Sequence, residues 1–292
     1  MKSSQSHRNT IFSEQAKVLS HHAYDGDQYI LRVHAPECAS HAQAGSFSHI
    51  QCHPLRAMRR PLSIMRVSAT QGWVDFLYKA VGEGTKLLSQ AQVGEELSLL
   101  GPIGQGFTLS SQRPLRVLIG GGVGIPPMVF LAEQIKQQKQ QAQSFTIMGS
   151  EVPFPFNTQP SQIIVSGIPA DVTACMPLLD DWGIASRLCS TQDYAGCYQG
   201  YVTGLARHYI ESIEQSQHSN IEIFSCGPEP MLKAVAELAR EFNIACQISL
   251  EEYMACAVGG CAGCVVEVNT DQGPTMKRVC VDGPVFDAKL IY

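Results

Sequence analysis

The chain has 292 residues, of which 45% are hydrophobic and 16% charged, with a net charge of -5. That length suggests about two domains with buried cores rather than a fibrous or disordered chain. The acidic balance argues against sequence-independent binding to nucleic acid or anionic membrane, which calls for basic surface.

The N-terminal MKSSQSHRNT lacks the apolar core of a secretory signal. No apolar run reaches the ~18 residues of a membrane span. Eleven cysteines, an odd number, in a chain without a signal point to a reducing, cytoplasmic setting.

In chain order, QYILRV (28–33), RRPLSIMRV (59–67), WVDFLYKAV (73–81) and ELSLLGP (96–102) are strand-like runs bounded by Gly, Pro, Asp or Gln. Their even spacing predicts an antiparallel barrel over residues 1–110, interrupted by one helix that starts at Gly84-Thr85. From 111 to 247 the pattern alternates. PLRVLIGGG, SFTIMGS, QIIVSG, IASRLCS, IEIFSC and CQISL read as strands. MVFLAEQIKQQKQQ, VTGLARHYIESIEQ and PMLKAVAELAREF read as helices. Alternation of this kind predicts an α/β domain with a parallel sheet. The Gln-rich KQQKQQAQ reads as a solvated helix end. Residues 248–292 form a third unit, in which CVVEV and MKRVCV would pair as a hairpin across NTDQGPT. A segment of that size needs a staple in place of a core.

The staple is visible as Cys256, Cys261, Cys264 and Cys280, spaced C-x4-C-x2-C-x15-C. This is the plant-type spacing for a 2Fe-2S cluster. Gly259, Gly260 and Gly263 would let the loop curl and aim its N–H groups inward. Structural zinc is the alternative, but it usually shows two C-x2-C pairs, and only one is present. The seven other cysteines read as small buried hydrophobes, with Cys226 set apart by its position.

Two further groups suggest a dinucleotide. Pro61 cannot donate to a ladder, so Arg60-Pro61-Leu62-Ser63 marks an edge or an opening in its strand. Arg60 could fork onto a pyrophosphate and Ser63 could bond a heterocycle. The helix start at Gly84-Thr85 offers free N–H groups to the same phosphates. Farther on, Gly120, Gly121, Gly122 and Gly124 follow a strand and precede Pro126-Pro127 at a helix start. Cys226-Gly227-Pro228 ends another strand at the carboxyl edge, where α/β sheets bind ligands.

The order RPLS, GEGT, GGGVGIPP, CGPEPML and C-x4-C-x2-C-x15-C followed by DGPVFDAK resembles the electron-transfer subunit of NAD-dependent dihydroorotate dehydrogenase, in the ferredoxin–NADP reductase superfamily. The resemblance begins near residue 11. It implies an antiparallel FAD-binding β-barrel, a ferredoxin-reductase-like α/β nucleotide-binding domain and a small C-terminal 2Fe-2S domain. In the barrel, Arg60, Pro61, Leu62 and Ser63 match the first flavin segment, Leu77, Tyr78 and Lys79 the second, and Gly84 and Thr85 the third. NAD would lie at residues 120–124 and at Cys226, Gly227 and Pro228. The four tail cysteines would ligate the cluster.

The implied partner is a catalytic dihydroorotate dehydrogenase subunit with FMN, in a heterotetramer serving pyrimidine biosynthesis. FAD/Fe-S reductase subunits of the hydrogenase or sulfite reductase gamma type are the nearest alternative. A zinc-bearing binding module is a more distant one. The chain departs from the family pattern twice. TQDYAGCYQGYVT puts Tyr194, Ala195 and Cys197 where Gly, Ser and Gly are usual. VPFPFNTQP replaces an acidic stretch after the second α/β strand.

Overall fold

The structure is a computed structural model that describes residues 10–138 and 143–292. Most of MKSSQSHRNT and the middle of KQQKQQAQ lie outside the described residues. The first part comprises β1 (Phe12–Tyr24), β2 (Gln28–His34), α1 (Pro36–His41), β3 (Phe47–Ile50), β4 (Arg60–Ser68), β5 (Trp73–Lys79), α2 (Glu83–Leu88) and β6 (Glu96–Ile103). Its strands close a barrel in the order β1-β2-β5-β4-β3-β6, all pairs antiparallel.

Four of these strands coincide with the runs seen in the sequence, and β1 and β3 are additional. β1 buries only Ala16 and Val18 completely, and its register shifts between Val18 and Ser20. The shift breaks the alternation that would have betrayed the strand. β3 is four residues long and buries Ser48 and His49 beside Phe47 and Ile50, so it carries no polar–apolar alternation.

The second part comprises β7 (Leu115–Gly121), a 3-10 turn (Gly122–Gly124), α3 (Ile125–Gln137), β8 (Gln143–Gly149), β9 (Gln159–Pro160), β10 (Ala174–Cys175), α4 (Pro177–Asp181), β11 (Ala185–Ser190), β12 (Tyr198–Gln199), α5 (Val202–Glu211), β13 (Ile221–Cys226), α6 (Glu229–Glu241) and β14 (Ala245–Ser249). The tail adds β15 (Val265–Thr270), β16 (Gly273–Arg278), α7 (Val279–Asp282), β17 (Val285–Asp287) and α8 (Ala288–Ile291). Seven strands form one sheet in the order β12-β11-β8-β7-β13-β14-β17. All its pairs are parallel except β14 with β17.

The run QIIVSG is a loop and not a strand. Asp180 fastens its start, accepting from Ser161 Oγ at 2.6 Å and from the Gln162 amide at 3.0 Å, while the Ile163 carbonyl accepts from Arg187 at 2.7 Å. These side-chain anchors hold the main chain out of the sheet and leave Ile164 92% exposed. MKRVCV splits as well: the hairpin ends at Arg278, and Val279 begins α7.

The barrel and the sheet meet where β4 packs on α3. Arg66 of β4 bonds Glu133 of α3 at 3.0 Å, and its guanidinium lies 5.1 Å from the Trp182 ring and 5.6 Å from the Trp73 ring. Both partners of this ion pair are largely withdrawn from water. Removing one leaves a poorly solvated charge, which costs several times more than a surface pair is worth. Arg66→Ala should therefore destabilise the chain by about 3 kcal/mol, read from the urea midpoint. Arg66→Met/Glu133→Met should recover most of that loss, and failure to do so would show that the ion pair is not what is lost.

Candidate functional site

The barrel is open along one stretch. β4 pairs with β3 throughout residues 60–63, but with β5 only from Ile64 onward. β5 in turn pairs with β2 as far as Lys79. Residues 60–63 and 77–79 thus form two edges of a slot with no ladder between them. Successive residues of a strand aim their peptide groups at opposite neighbours. Between Leu77 and Lys79 at least one residue therefore presents its N–H and C=O to the slot.

Leu62 and Leu77 are buried, and Arg60, Pro61, Ser63 and Lys79 are half-buried. The Tyr78 side chain is turned away into the barrel, stacked on Tyr29 at 5.4 Å. His21 donates from Nδ1 to the Ala91 carbonyl at 2.9 Å, which leaves its Nε2 to accept from the Tyr78 hydroxyl at 2.8 Å. Tyr78 therefore offers the slot its main chain and not its phenol.

At the end of the slot the Arg60 guanidinium crosses the first turn of α2. A Cβ on Gly84 would come within 2.9 Å of Arg60 Nε, so a larger residue there would push the guanidinium off the helix turn. The helix begins at Glu83 with Gly82 as its cap, slightly ahead of the Gly84-Thr85 start read from the sequence. Thr85 Oγ1 closes the turn by donating to the Gly82 carbonyl at 3.1 Å and accepting from its amide at 3.2 Å. The first-turn N–H groups of any helix lack intrahelical acceptors, and here they stand beside an arginine.

In the sheet, β7 and β13 are neighbours whose chain connections run to opposite sides, which makes their carboxyl ends the switch point. The two glycine-containing turns meet there. A Cβ on Gly124 would overlap the Cys226 carbonyl, and one on Gly121 would come within 2.5 Å of Met231 Sδ. Gly122 has φ +55 and open space around it. Cys226 is fully buried. Burial first, and then the Glu251 carboxylate 4.0 Å from its Sγ, push its thiol well above the ordinary range. It stays a neutral thiol. Glu251 is exposed, but partial desolvation of its carboxyl by the packed atoms around it raises it too.

The four tail cysteines come as two adjoining pairs. The Cys261 amide points at Cys256 Sγ at 3.4 Å, and the Cys280 amide points at Cys264 Sγ at 3.5 Å. Burial works to raise the Cys256 thiol, but N–H groups of Val258, Cys261 and Gly260 outweigh it and bring it to about 7. Burial and the adjoining Cys264 push Cys280 up to about 12. Among the described residues, no three His, Cys, Asp or Glu side chains converge on a single-ion site.

The loop's curl comes only partly from the expected glycines. Gly259 has φ +81, but the other left-handed residues are Ala257 at +56 and Ala262 at +53, while Gly260 and Gly263 are not left-handed. Arg278 braces the loop, donating to the Gly259 carbonyl at 3.0 Å.

Two residues near these features escaped the sequence reading. Glu251 lies two residues beyond Ser249, which pairs with Cys226, so its place at a strand end was the available signal. His49 pairs across β3 with Pro61 and lies against the main chain of Met254 in the tail. Burial and the charge of Arg59 lower it to about 4.

The slot-bearing barrel followed by a parallel sheet with two glycine-containing turns at its switch point defines a fold of the ferredoxin-reductase-like class. The solved NADH-dependent reduced ferredoxin-NADP oxidoreductase superposes with a TM-score of 0.74 at 21% identity, covering 96% of this chain and 90% of that one. A ferredoxin NADP+ reductase from Neisseria gonorrhoeae gives 0.56 at 15% identity, over 80% and 92% of the two chains. The family model described as the iron-sulfur cluster binding domain of dihydroorotate dehydrogenase B matches residues 251–292.

The electron transfer subunit of dihydroorotate dehydrogenase B (NAD(+)) from Caldanaerobacter subterraneus subsp. tengcongensis is 32% identical over 94% of this chain and 96% of its own length. Its counterpart from Geobacillus thermodenitrificans is 32% identical over 95% and 98%. This chain belongs to the family of dihydroorotate dehydrogenase B (NAD(+)) electron transfer subunits. Likeness over nearly the full length of both chains sets aside the hydrogenase-type, sulfite-reductase-type and zinc-module alternatives. Among the described residues no helix is long and apolar enough to cross a membrane.

The left-handed alanines give a direct test of the loop. Such a backbone costs an ordinary L-residue about 1–2 kcal/mol and a β-branched one more. Ala257→Val should sharply reduce bound iron and the visible absorbance of the loop's cofactor, while Ala257→Gly should keep both. Equal iron content in the two variants would show that the curl is not required.

Proposed function

We propose that this chain carries electrons between a dihydroorotate-oxidising catalytic subunit and NAD+, with FAD in the barrel slot and a 2Fe-2S cluster on the cysteine loop. The observation that carries the reading is the joining, in one chain of this family, of paired thiols to a barrel opened beside Arg60 and Gly84. A flavin exchanges a hydride with a nicotinamide and passes single electrons to an iron–sulfur centre, so the two groups together convert a two-electron couple into one-electron steps.

The residues present fit both groups. A 2Fe-2S centre takes two thiolates per iron, and Cys256 with Cys261, and Cys264 with Cys280, supply two pairs. The inward N–H groups of Val258, Gly260 and Cys261 favour the charged form of Cys256, as a thiolate ligand requires. For the flavin, Arg60 and the first turn of α2 at Gly84 and Thr85 would hold the pyrophosphate. Pro61, Leu62 and Ser63 would line one side of the ring. The main chain of Leu77, Tyr78 and Lys79 would line the other.

Gly120, Gly121, Gly122 and Gly124 with Cys226, Gly227 and Pro228 would receive the pyridine nucleotide. The neutral Cys226 thiol there neither repels the ligand's phosphates nor carries a charge into the dry interior. The arrangement follows the segments 1–110, 111–247 and 248–292, one group to each. The reading also implies a cytoplasmic heterotetramer with the FMN-bearing subunit, serving pyrimidine biosynthesis.

The test is reconstitution with a dihydroorotate dehydrogenase catalytic subunit. Dihydroorotate-dependent NAD+ reduction should require both chains, and its absence in a complex loaded with all cofactors would overturn the proposal. Arg60→Ala should weaken FAD binding by about 1.5–3 kcal/mol, since it removes a charge-assisted phosphate contact. Retention of FAD at wild-type affinity, followed by fluorescence titration, would move the pyrophosphate elsewhere.

A further inference from the structure

A cavity of about 470 Å³ lies where the barrel touches the α/β domain, away from the two glycine turns. Its walls come from three places: Tyr24 and Asp25 in the β1–β2 hairpin, Phe154 and Phe156 in the loop after β8, and Tyr194 in the loop after β11. These two loops are the ones that depart from the family pattern. They leave the carboxyl ends of β8, which lies beside β7, and of β11, the next strand outward, on one side of the switch point. With strands ~4.8 Å apart, an extended dinucleotide seated at Cys226 and Gly122 would lay its far nucleoside over these strand ends.

The lining offers a nucleoside aromatic rings for a planar base, from Phe154, Phe156 and Tyr194, and polar side chains for its sugar and base edges, from Asn157 and Thr158. Asp25 is the only charged residue among those lining the cavity. No donor holds its carboxylate among the described residues, and it is exposed. Glu151, the carboxylate at the start of the β8 loop, does not line the cavity.

The hairpin carrying Asp25 is fixed against that loop. Gly26 has φ +74 and sits so close to Val152 that a Cβ would come within 2.8 Å of it. Gln28 Nε2 donates both to the Pro153 carbonyl at 2.7 Å and to the Asp25 carbonyl at 2.9 Å. Asp25 is thus held at the rim by the barrel, across from the loops of the other domain.

We propose that this cavity takes the adenosine half of the pyridine nucleotide, and that Asp25 selects a free ribose 2′-hydroxyl over a 2′-phosphate. This rests on the function proposed above. A carboxylate accepts a hydrogen bond from a hydroxyl and repels a phosphate at the same position. Because Asp25 belongs to the barrel, specificity for the nucleotide is set from the flavin side of the molecule.

The experiment is anaerobic stopped-flow reduction of the flavin in the complete complex, by NADH and by NADPH over a range of concentrations. Asp25→Asn should cut the preference for NADH over NADPH about tenfold or more, the scale of one charge-assisted contact. Phe156→Ala should raise the half-saturating concentration of both nucleotides about tenfold, since it removes a stacking surface that both use. An unchanged preference in Asp25→Asn overturns the role of the carboxylate. Unchanged half-saturation in Phe156→Ala, with NADH still reducing the flavin, overturns the cavity assignment and leaves the proposed function standing. Failure of both nucleotides to reduce the wild-type flavin overturns both readings.

Discussion

Pro61 has no N–H to give, and much of the molecule follows from that missing donor. The ladder from β3 runs past it, the ladder from β5 stops short of it, and a closed barrel gains an open slot. A barrel sealed on every side would have side chains filling its interior and no flat entry for a ring system. The peptide groups on its edges lack strand partners, and buried peptide groups seek hydrogen bonds, so the slot favours a ligand that can supply them.

The strand that opens is also the strand that holds the two halves together. β4 carries Arg60 and Ser63 at its start and Arg66 three residues later, and Arg66 reaches Glu133 on α3. α3 in turn begins directly after Gly124, which packs on the Cys226 turn. The barrel slot and the switch point of the sheet are therefore joined by one strand, one ion pair and one helix. A shift of either domain moves both ends of that chain of contacts together.

Most of the architecture was legible from residue patterns, because barrels and parallel sheets write their periods into sequence. IEIFSC is strand β13 without correction, and the four apolar barrel runs all became strands. What escaped was held by tertiary contacts. β1 is polar and bulged, and β3 buries a serine and a histidine, so neither alternates. QIIVSG has the composition of a strand but is held out of the sheet by Asp180 and Arg187, which lie farther along the chain. At the site, cysteine spacing showed which residues act together. The left-handed alanines did not follow from composition, since alanine rarely takes that backbone. Glu251, His49 and the Asp25 cavity are assembled from separate segments and leave no local motif.

The distance from Cys264 to Cys280 has a simple origin in strand register. Val265 pairs with Arg278, and the Val279 amide bonds the Cys264 carbonyl at 2.9 Å, so the two cysteines close the open end of the β15–β16 hairpin. Of the fifteen residues between them, fourteen are that hairpin and the last is Val279, so the number measures the hairpin and not anything the thiols hold. Adding one residue to each strand near Asp271 would lengthen the hairpin and leave the thiols side by side. Adding a single residue would shift the pairing by one and turn the facing side chains to opposite faces. Only the spacing within 256–264 is fixed by the chemistry of the loop, and the fourth position is free to recede in steps of two.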